Sequence, residues 1–208
     1  MARMDASPFV PETNSLQALR EAADGCRGCP LYGPATQTVF GEGPRRAQLM
    51  LVGEMPGDRE DLAGHVFVGP AGRELDAALE RAGIARADAY VTNAVKHFKF
   101  QERGKRRIHD KPKRAEVDAC LPWLRAELDI VRPRVLLLLG ATAGQALFGS
   151  KFRLGPNRGR EIDSDLADHV TATIHPAAIL RAPDDDARQA ERGAFTDDIR
   201  VVRNMLGG

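Results

Sequence analysis

Val135-Leu136-Leu137-Leu138-Leu139 is the longest apolar run in the chain, and it lies between Arg134 and Gly140. Five apolar residues have the length of a β-strand, and an unbroken run indicates burial on both faces, as in a parallel sheet. Other strand-length segments precede and follow it, separated by segments with helical spacing. The predicted strands are residues 48–52, 89–93, 134–139 and 170–174, and the predicted helices are 15–24, 71–82, 113–131, 141–148 and 187–205.

The alternation of strands and helices predicts an α/β protein in which helices cover a parallel sheet. A length of 208 residues (1–208) predicts a single domain. No apolar run is long enough to cross a bilayer, and residues 1–13 lack the apolar core of a secretory signal. We therefore expect a cytoplasmic protein whose cysteines stay reduced unless they bind a metal.

Three unusual segments follow predicted strands. Residues 54–57 follow the first strand, 93–109 the second and 175–181 the fourth. Ligands of parallel sheets bind beyond the carboxyl ends of the strands, so these segments are expected to form one cleft. Thr142 is expected to cap the helix that follows the third strand.

A basic segment, residues 96–114, is predicted to be a long polar loop up to about residue 112. It carries nine basic and two acidic residues, although the net charge of the whole chain is only +1. Such a concentration of positive charge indicates a binding site for a polyanion, most simply nucleic acid. The run Lys105-Arg106-Arg107-Ile108 ends at His109, which would bring a nucleophilic imidazole to the same place. The alternative is a solvated loop with an incidental histidine.

The three cysteines and one histidine indicate a metal site. Cys26 and Cys29 have the spacing that lets two thiolates reach one metal, and Cys120 and His97 are candidates for the other two ligands. A redox pair of the thioredoxin type is disfavoured because this pair follows a helix, not a strand. Zinc and an iron–sulfur cluster both suit these donors, and three unrelated cysteines are the structural alternative.

Four further segments carry recognisable motifs: residues 53–61, 67–72, 92–96 and 175–181. Together they resemble the uracil-DNA glycosylase superfamily, in particular its iron–sulfur branch and the UdgX type within that branch. The insertion Gly104–His109 is similar to the one that marks UdgX-type proteins. His97 also fits this type, because family-4 glycosylases carry cysteine there.

The resemblance implies a three-layer α/β/α fold with a central four-stranded parallel sheet. It also implies an enzyme that excises uracil from DNA, and we expect it to act as a monomer without a membrane partner. In the family the corresponding residues hold a [4Fe–4S] cluster, which here implies the ligands Cys26, Cys29, His97 and Cys120. UdgX-type proteins stay covalently joined to the abasic sugar through the loop histidine, here His109.

Uracil must be flipped out of a duplex, or be in a single strand, before its glycosidic bond can be reached. The expected uracil-binding residues are Gly53, Met55, Phe67 and Asn93. The Phe67 ring would stack on the base, and the Asn93 amide offers a donor for O4 and an acceptor for N3–H. His175 is expected to hydrogen-bond O2 as negative charge develops on the departing base. The structural alternatives are core packing for Phe67, a turn role for Asn93, and a structural role for His175 with its hydrogen bonds made within the protein.

The expected chemistry assigns catalytic roles to His109 and Glu54. Met55 stands where hydrolytic members of the superfamily can carry a water-positioning aspartate, and methionine cannot activate water. The imidazole of His109 would then attack C1′, while Glu54 orients it and takes up its proton. Phosphate contacts are expected from Lys105, Arg106, Arg107 and Arg181, with support of His109 or Glu54 as a second role for Arg107.

Two other functions remain open from the sequence. One is a conventional iron–sulfur uracil-DNA glycosylase that releases its abasic product, although the insertion 104–109 argues against it. The other is a non-catalytic, zinc-bearing protein that binds single-stranded nucleic acid. That function would explain the basic segment and the Cys/His set, but not the convergence of Glu54, Asn93 and His175 on one cleft.

Overall fold

A computed structural model describes residues 4–207. In chain order, the strands are β1 (Leu49–Gly53), β2 (Ala89–Asn93), β3 (Phe100–Arg103), β4 (Arg106–His109), β5 (Val135–Leu139) and β6 (His169–Thr173). The helices are α1 (Leu16–Ala23), α2 (Asp58–Ala63), α3 (Pro70–Arg81), α4 (Arg114–Val131), α5 (Ala141–Phe148), α6 (Leu154–Asn157), α7 (Ala177–Leu180) and α8 (Asp185–Gly207). No helix within this range combines the length and the hydropathy that crossing a bilayer requires.

The central sheet has four parallel strands in the order β2-β1-β5-β6. The side chains of β5 alternate between two hydrophobic cores. Leu136 faces a core built with α1 and α4, whereas Leu137 faces one built with α3 and α8. The apolar run is thus buried on both sides, and the predicted three-layer α/β/α fold with a four-stranded parallel sheet is confirmed.

The basic segment differs from the prediction. Instead of a continuous loop, β3 and β4 form an antiparallel hairpin in which Phe100 pairs with His109 and Arg103 with Arg106. Gly104 adopts a left-handed φ of +60° in the turn, a conformation that glycine tolerates well. Most residues of the hairpin are exposed and polar, so the sequence lacks the apolar alternation that normally indicates a strand.

The start of α5 also differs from the prediction. Gly140, with a φ of +95°, is the N-cap residue, and no side chain caps the helix. Thr142 lies inside the first turn, and its hydroxyl bonds to Glu54 instead of the backbone. The short helices α2, α6 and α7 were not predicted, because four to six residues are too few to show helical periodicity.

Candidate active site

A cleft of about 890 Å³ opens beyond the carboxyl ends of the strands. Three segments that are distant in sequence meet there: the turn after β1, the end of the β3–β4 hairpin and the loop after β6. Their side chains in the cleft wall include Glu54, Met55, His109, His175 and Arg181, and Phe67 before α3 and Asn93 at the end of β2 also line it.

The end of β1 forms a tight pocket beside Asn93 and Phe67. A Cβ atom on Gly53 would lie 2.3 Å from Asn93 Oδ1 and 2.7 Å from Phe67 Cζ, so only glycine fits without displacing them. Asn93 is 1% exposed, and its Oδ1 has no hydrogen-bond partner within residues 4–207. A buried polar atom without a partner favours a site that a ligand completes.

Phe67 is held in an uncommon backbone conformation. Its φ is +54°, which is rare for a residue with a bulky side chain. A Cβ on Gly72 would lie 1.7 Å from the Phe67 carbonyl oxygen, so the start of α3 requires glycine at this contact. The Phe67 ring stacks on His175 with 5.8 Å between ring centroids. Strain of this kind is common in functional sites.

His175 presents one defined tautomer to the cleft. The backbone N–H of Ala177 donates to Nδ1 at 3.2 Å, so the ring proton lies on Nε2. Burial lowers the pKa of His175 to about 4, and the imidazole is therefore neutral near pH 7. A neutral Nε2–H can donate a hydrogen bond to an oxygen that gains negative charge.

Glu54 lies between His109 and Thr142. Its Oε1 is 3.3 Å from His109 Nε2, and its Oε2 accepts a hydrogen bond from the Thr142 hydroxyl. Burial alone would raise the pKa of Glu54, but the hydrogen bonds from His109 and Thr142 outweigh it and lower the pKa below its ordinary value. The group is thus a carboxylate near neutral pH.

Arg107 fixes the hairpin to the segment after β1. Its guanidinium contacts Asp58 Oδ1 at 2.7 Å and Asp61 Oδ2 at 2.6 Å. It also lies over the Phe98 and Phe100 rings, 5.4 Å and 5.0 Å from their centroids. The donors of Arg107 are used within the protein, which favours its second predicted role, support of the site, while the phosphate contact stays a prediction.

The other three cationic residues predicted to bind DNA lie at two different places on the surface. Lys105 and Arg106 are exposed at the tip of the hairpin, and Arg181 lines the cleft.

No role was predicted for Asp58 or Asp61, although both lie in a motif that carries the resemblance. Asp61 is completely buried, so its role depends on a partner distant in sequence.

The three thiols lie in the core that contains α1 and α4. The Trp123 indole N–H donates to Cys26 Sγ at 3.3 Å, and the Lys96 backbone N–H donates to Cys120 Sγ at 3.3 Å. Burial raises the pKa of Cys29, and it raises that of Cys120 to about 12. Ionised sulfur atoms here require a bound metal, which the N–H donors would support.

His97 is 5% exposed, and it directly follows Lys96, whose backbone N–H contacts Cys120. The Thr38 hydroxyl donates to the Ala23 carbonyl at 3.0 Å, so it accepts from His97 Nε2–H, also at 3.0 Å. The lone pair of the ring is then on Nδ1, as metal ligation requires. The donor types fit an iron–sulfur cluster, although no three His, Cys, Asp or Glu side chains within residues 4–207 are gathered into a finished metal site.

Comparison with known proteins shows the family. The sequence profile of the Uracil DNA glycosylase superfamily matches residues 40–200. The chain belongs to this superfamily. The match includes the turn after β1, the hairpin and the loop after β6, which together form the cleft.

Relatives within the superfamily cover nearly the whole chain. A type-4 uracil-DNA glycosylase of Pyrobaculum aerophilum is 38% identical over 193 residues, 89% of this chain and 92% of that protein. One from Thermotoga maritima is 35% identical, over 92% of this chain and 94% of that protein. A third, from Sulfurisphaera tokodaii, is 31% identical, over 94% and 92%. They support the superfamily assignment, and the UdgX type stays a prediction.

Proposed function

We propose that this chain is an enzyme that excises uracil from DNA and stays covalently attached to C1′ of the abasic sugar through His109. One observation carries the proposal: His109 lies in the same cleft as Asn93, with its Nε2 3.3 Å from a carboxylate oxygen of Glu54. A nucleophile and a proton acceptor are thereby paired beside the pocket at the end of β1.

Uracil recognition is assigned to the pocket at the end of β1. The amide of Asn93, whose Oδ1 has no partner within residues 4–207, pairs with O4 and N3–H of the base, and cytosine is rejected because its edge mismatches that amide. Phe67 supplies the stacking face, while Gly53 and Met55 line the pocket. His175 Nε2–H donates to O2 and stabilises the leaving uracil anion.

The covalent step balances with the groups in the cleft. The bond from C1′ to uracil N1 breaks, and uracil leaves with its electron pair. An unprotonated ring nitrogen of His109 donates its lone pair to C1′, and the proton left on the other nitrogen passes to Glu54. An imidazole N-glycoside is a poor leaving group, and Met55 offers no group that activates water. The product is therefore a stable adduct formed in a single turnover.

The cluster and the DNA contacts complete the proposal. Cys26, Cys29, Cys120 and His97 would hold a [4Fe–4S] cluster, which would supply structural support close to the DNA-binding face. Arg107 orders the hairpin, and the whole chain acts as one domain and as a monomer. The phosphate contacts are assigned to Lys105, Arg106 and Arg181.

A labelled single-stranded oligonucleotide with one uracil tests the proposal. After incubation and heating in SDS, a denaturing gel should show a retarded protein–DNA band that is absent when thymine replaces uracil. Strand breakage after alkali, without that band, would contradict covalent capture and leave uracil excision in place.

The second candidate is a glycosylase that releases its product. It is favoured by the relatives, whose names give type-4 uracil-DNA glycosylases and no covalent attachment. The third, a zinc-bearing nucleic-acid binder, predicts neither band nor strand breakage. Metal analysis separates it, because it predicts zinc where the glycosylases predict iron and sulfide.

A further inference from the structure

Thr142 occupies an unusual place for a threonine in the first turn of a helix. It is 5% exposed, and no side chain caps the start of α5. Gly140 brings α5 against the loop after β6, where a Cβ on this glycine would lie 3.0 Å from His175 Cβ. This close approach directs the first turn of α5, and with it the Thr142 hydroxyl, into the cleft.

The two carboxylate oxygens of Glu54 contact different partners. Thr142 Oγ1 donates to Oε2, and Oε1 remains for His109 Nε2 at 3.3 Å. A carboxylate free to rotate would present either oxygen to His109, and water would compete for the hydrogen bonds to both. We propose that Thr142 is a positioning residue for the reaction: its hydrogen bond orients the Glu54 carboxylate so that one oxygen is always presented to His109.

The surroundings of Glu54 give the bond to Thr142 a second consequence. The titratable groups that face Glu54 are His109 on β4 and His175 after β6. Burial raises the pKa of Glu54, whereas the hydrogen bonds from His109 and Thr142, followed by electrostatic attraction to His109 and His175, lower it. Loss of the hydrogen bond from Thr142 therefore raises the pKa of Glu54, because less remains to offset the effect of burial. The carboxylate then takes up a proton at higher pH.

The inference rests on the proposed roles of Glu54 and His109, and its test does not require the reaction. Protein labelled with ¹³C at glutamate carboxyls is titrated by NMR, and the Glu54 signal is assigned by its loss in Glu54→Gln. Thr142→Val removes the donor at nearly constant volume and should raise the pKa of Glu54. Thr142→Ser keeps a hydroxyl and should restore the wild-type titration.

Thr171→Val is the matched control, because Thr171 is also buried and its hydroxyl has no partner within residues 4–207. It should leave the Glu54 titration unchanged. An unchanged titration in Thr142→Val, or an equal shift in Thr171→Val, would overturn the inference. If Thr142→Val does not fold, Thr142→Ala takes its place with the same expectation.

The rate of adduct formation gives the functional readout. At saturating oligonucleotide, Thr142→Val should slow the single-turnover rate about tenfold and move its acid limb to higher pH, while DNA affinity stays unchanged. A slower rate with an unmoved pH profile would overturn the inference. Failure of the wild-type protein to form any adduct would instead contradict the proposed function, while the NMR titration would still decide the role of Thr142.

Discussion

Arg107 on β4 and the buried Asp61 on α2 form an ion pair with 2.6 Å between Nη1 and Oδ2. The same guanidinium reaches Asp58 at 2.7 Å, so one side chain joins the hairpin to the segment after β1 through two carboxylates. His109 lies two residues beyond Arg107, and Glu54 lies shortly before Asp58. We therefore expect the pair to hold the hairpin so that the proposed nucleophile stays close to its proton acceptor.

Replacement of Arg107 should affect the reaction more than DNA binding. In Arg107→Met the hairpin loses its anchor, and we expect the single-turnover rate of adduct formation at saturating DNA to fall about 10- to 100-fold, because small misplacements of reacting groups are costly. The exposed neighbour Arg106 supplies the control. Arg106→Met should weaken DNA affinity and reduce its salt dependence by a slope of about 1, with the saturated rate preserved.

Equal effects of the two substitutions on affinity and salt dependence would contradict this account. Arg107 would then be a phosphate contact like Arg106. Thermal unfolding of both variants checks that the loss of rate in Arg107→Met is not a loss of folded protein.

Gly53→Ala should block the base pocket. The added methyl would lie 2.3 Å from Asn93 Oδ1, a separation that forces Asn93 or Phe67 to move. We expect uracil-dependent adduct formation to fall more than about 100-fold, because the amide loses its alignment with the base. Gly193→Ala on α8 is the control, because a methyl added there would meet no atom within 4 Å, and this variant should react like wild type. If the Gly53→Ala protein reacted normally, uracil would have to bind outside the pocket at the end of β1.

The pKa of His175 predicts how stability depends on pH. In the folded protein His175 stays neutral until the pH approaches 4, whereas an unfolded histidine is protonated below about 6.5. Between these values the unfolded state binds more protons, so the free energy of unfolding decreases as the pH falls. From pH 6.5 to 5.5, urea unfolding should show a loss about 1 kcal/mol larger for wild type than for His175→Gln. Equal losses would show that His175 is protonated alike in both states.

Cys120→Ser should lose the cluster and lower stability. The Cys120 thiol lies in an apolar core, where only a bound metal would favour its ionised form. We expect less iron and sulfide per protein and a lower midpoint of thermal unfolding. Full iron content in the variant would exclude Cys120 as a ligand.

The sequence predicted the sheet correctly because its strands are buried on both faces, which leaves a continuous apolar run most clearly in β5. It missed the β3–β4 hairpin because that element is held by Arg107 and two carboxylates more than 40 residues away, and such contacts leave no local periodicity. The same reason explains Thr142. A threonine near a helix start usually caps it, and only the folded chain places Glu54 within its reach.

The central claim is that His109 is the nucleophile, and mass spectrometry of the adduct tests it most directly. Wild-type protein is incubated with a uracil-containing oligonucleotide, digested with protease and nuclease, and fragmented to locate the added deoxyribose. We predict the sugar on the imidazole of His109 and no adduct in His109→Ala. A sugar on another residue, or an adduct that persists in His109→Ala, would contradict the account.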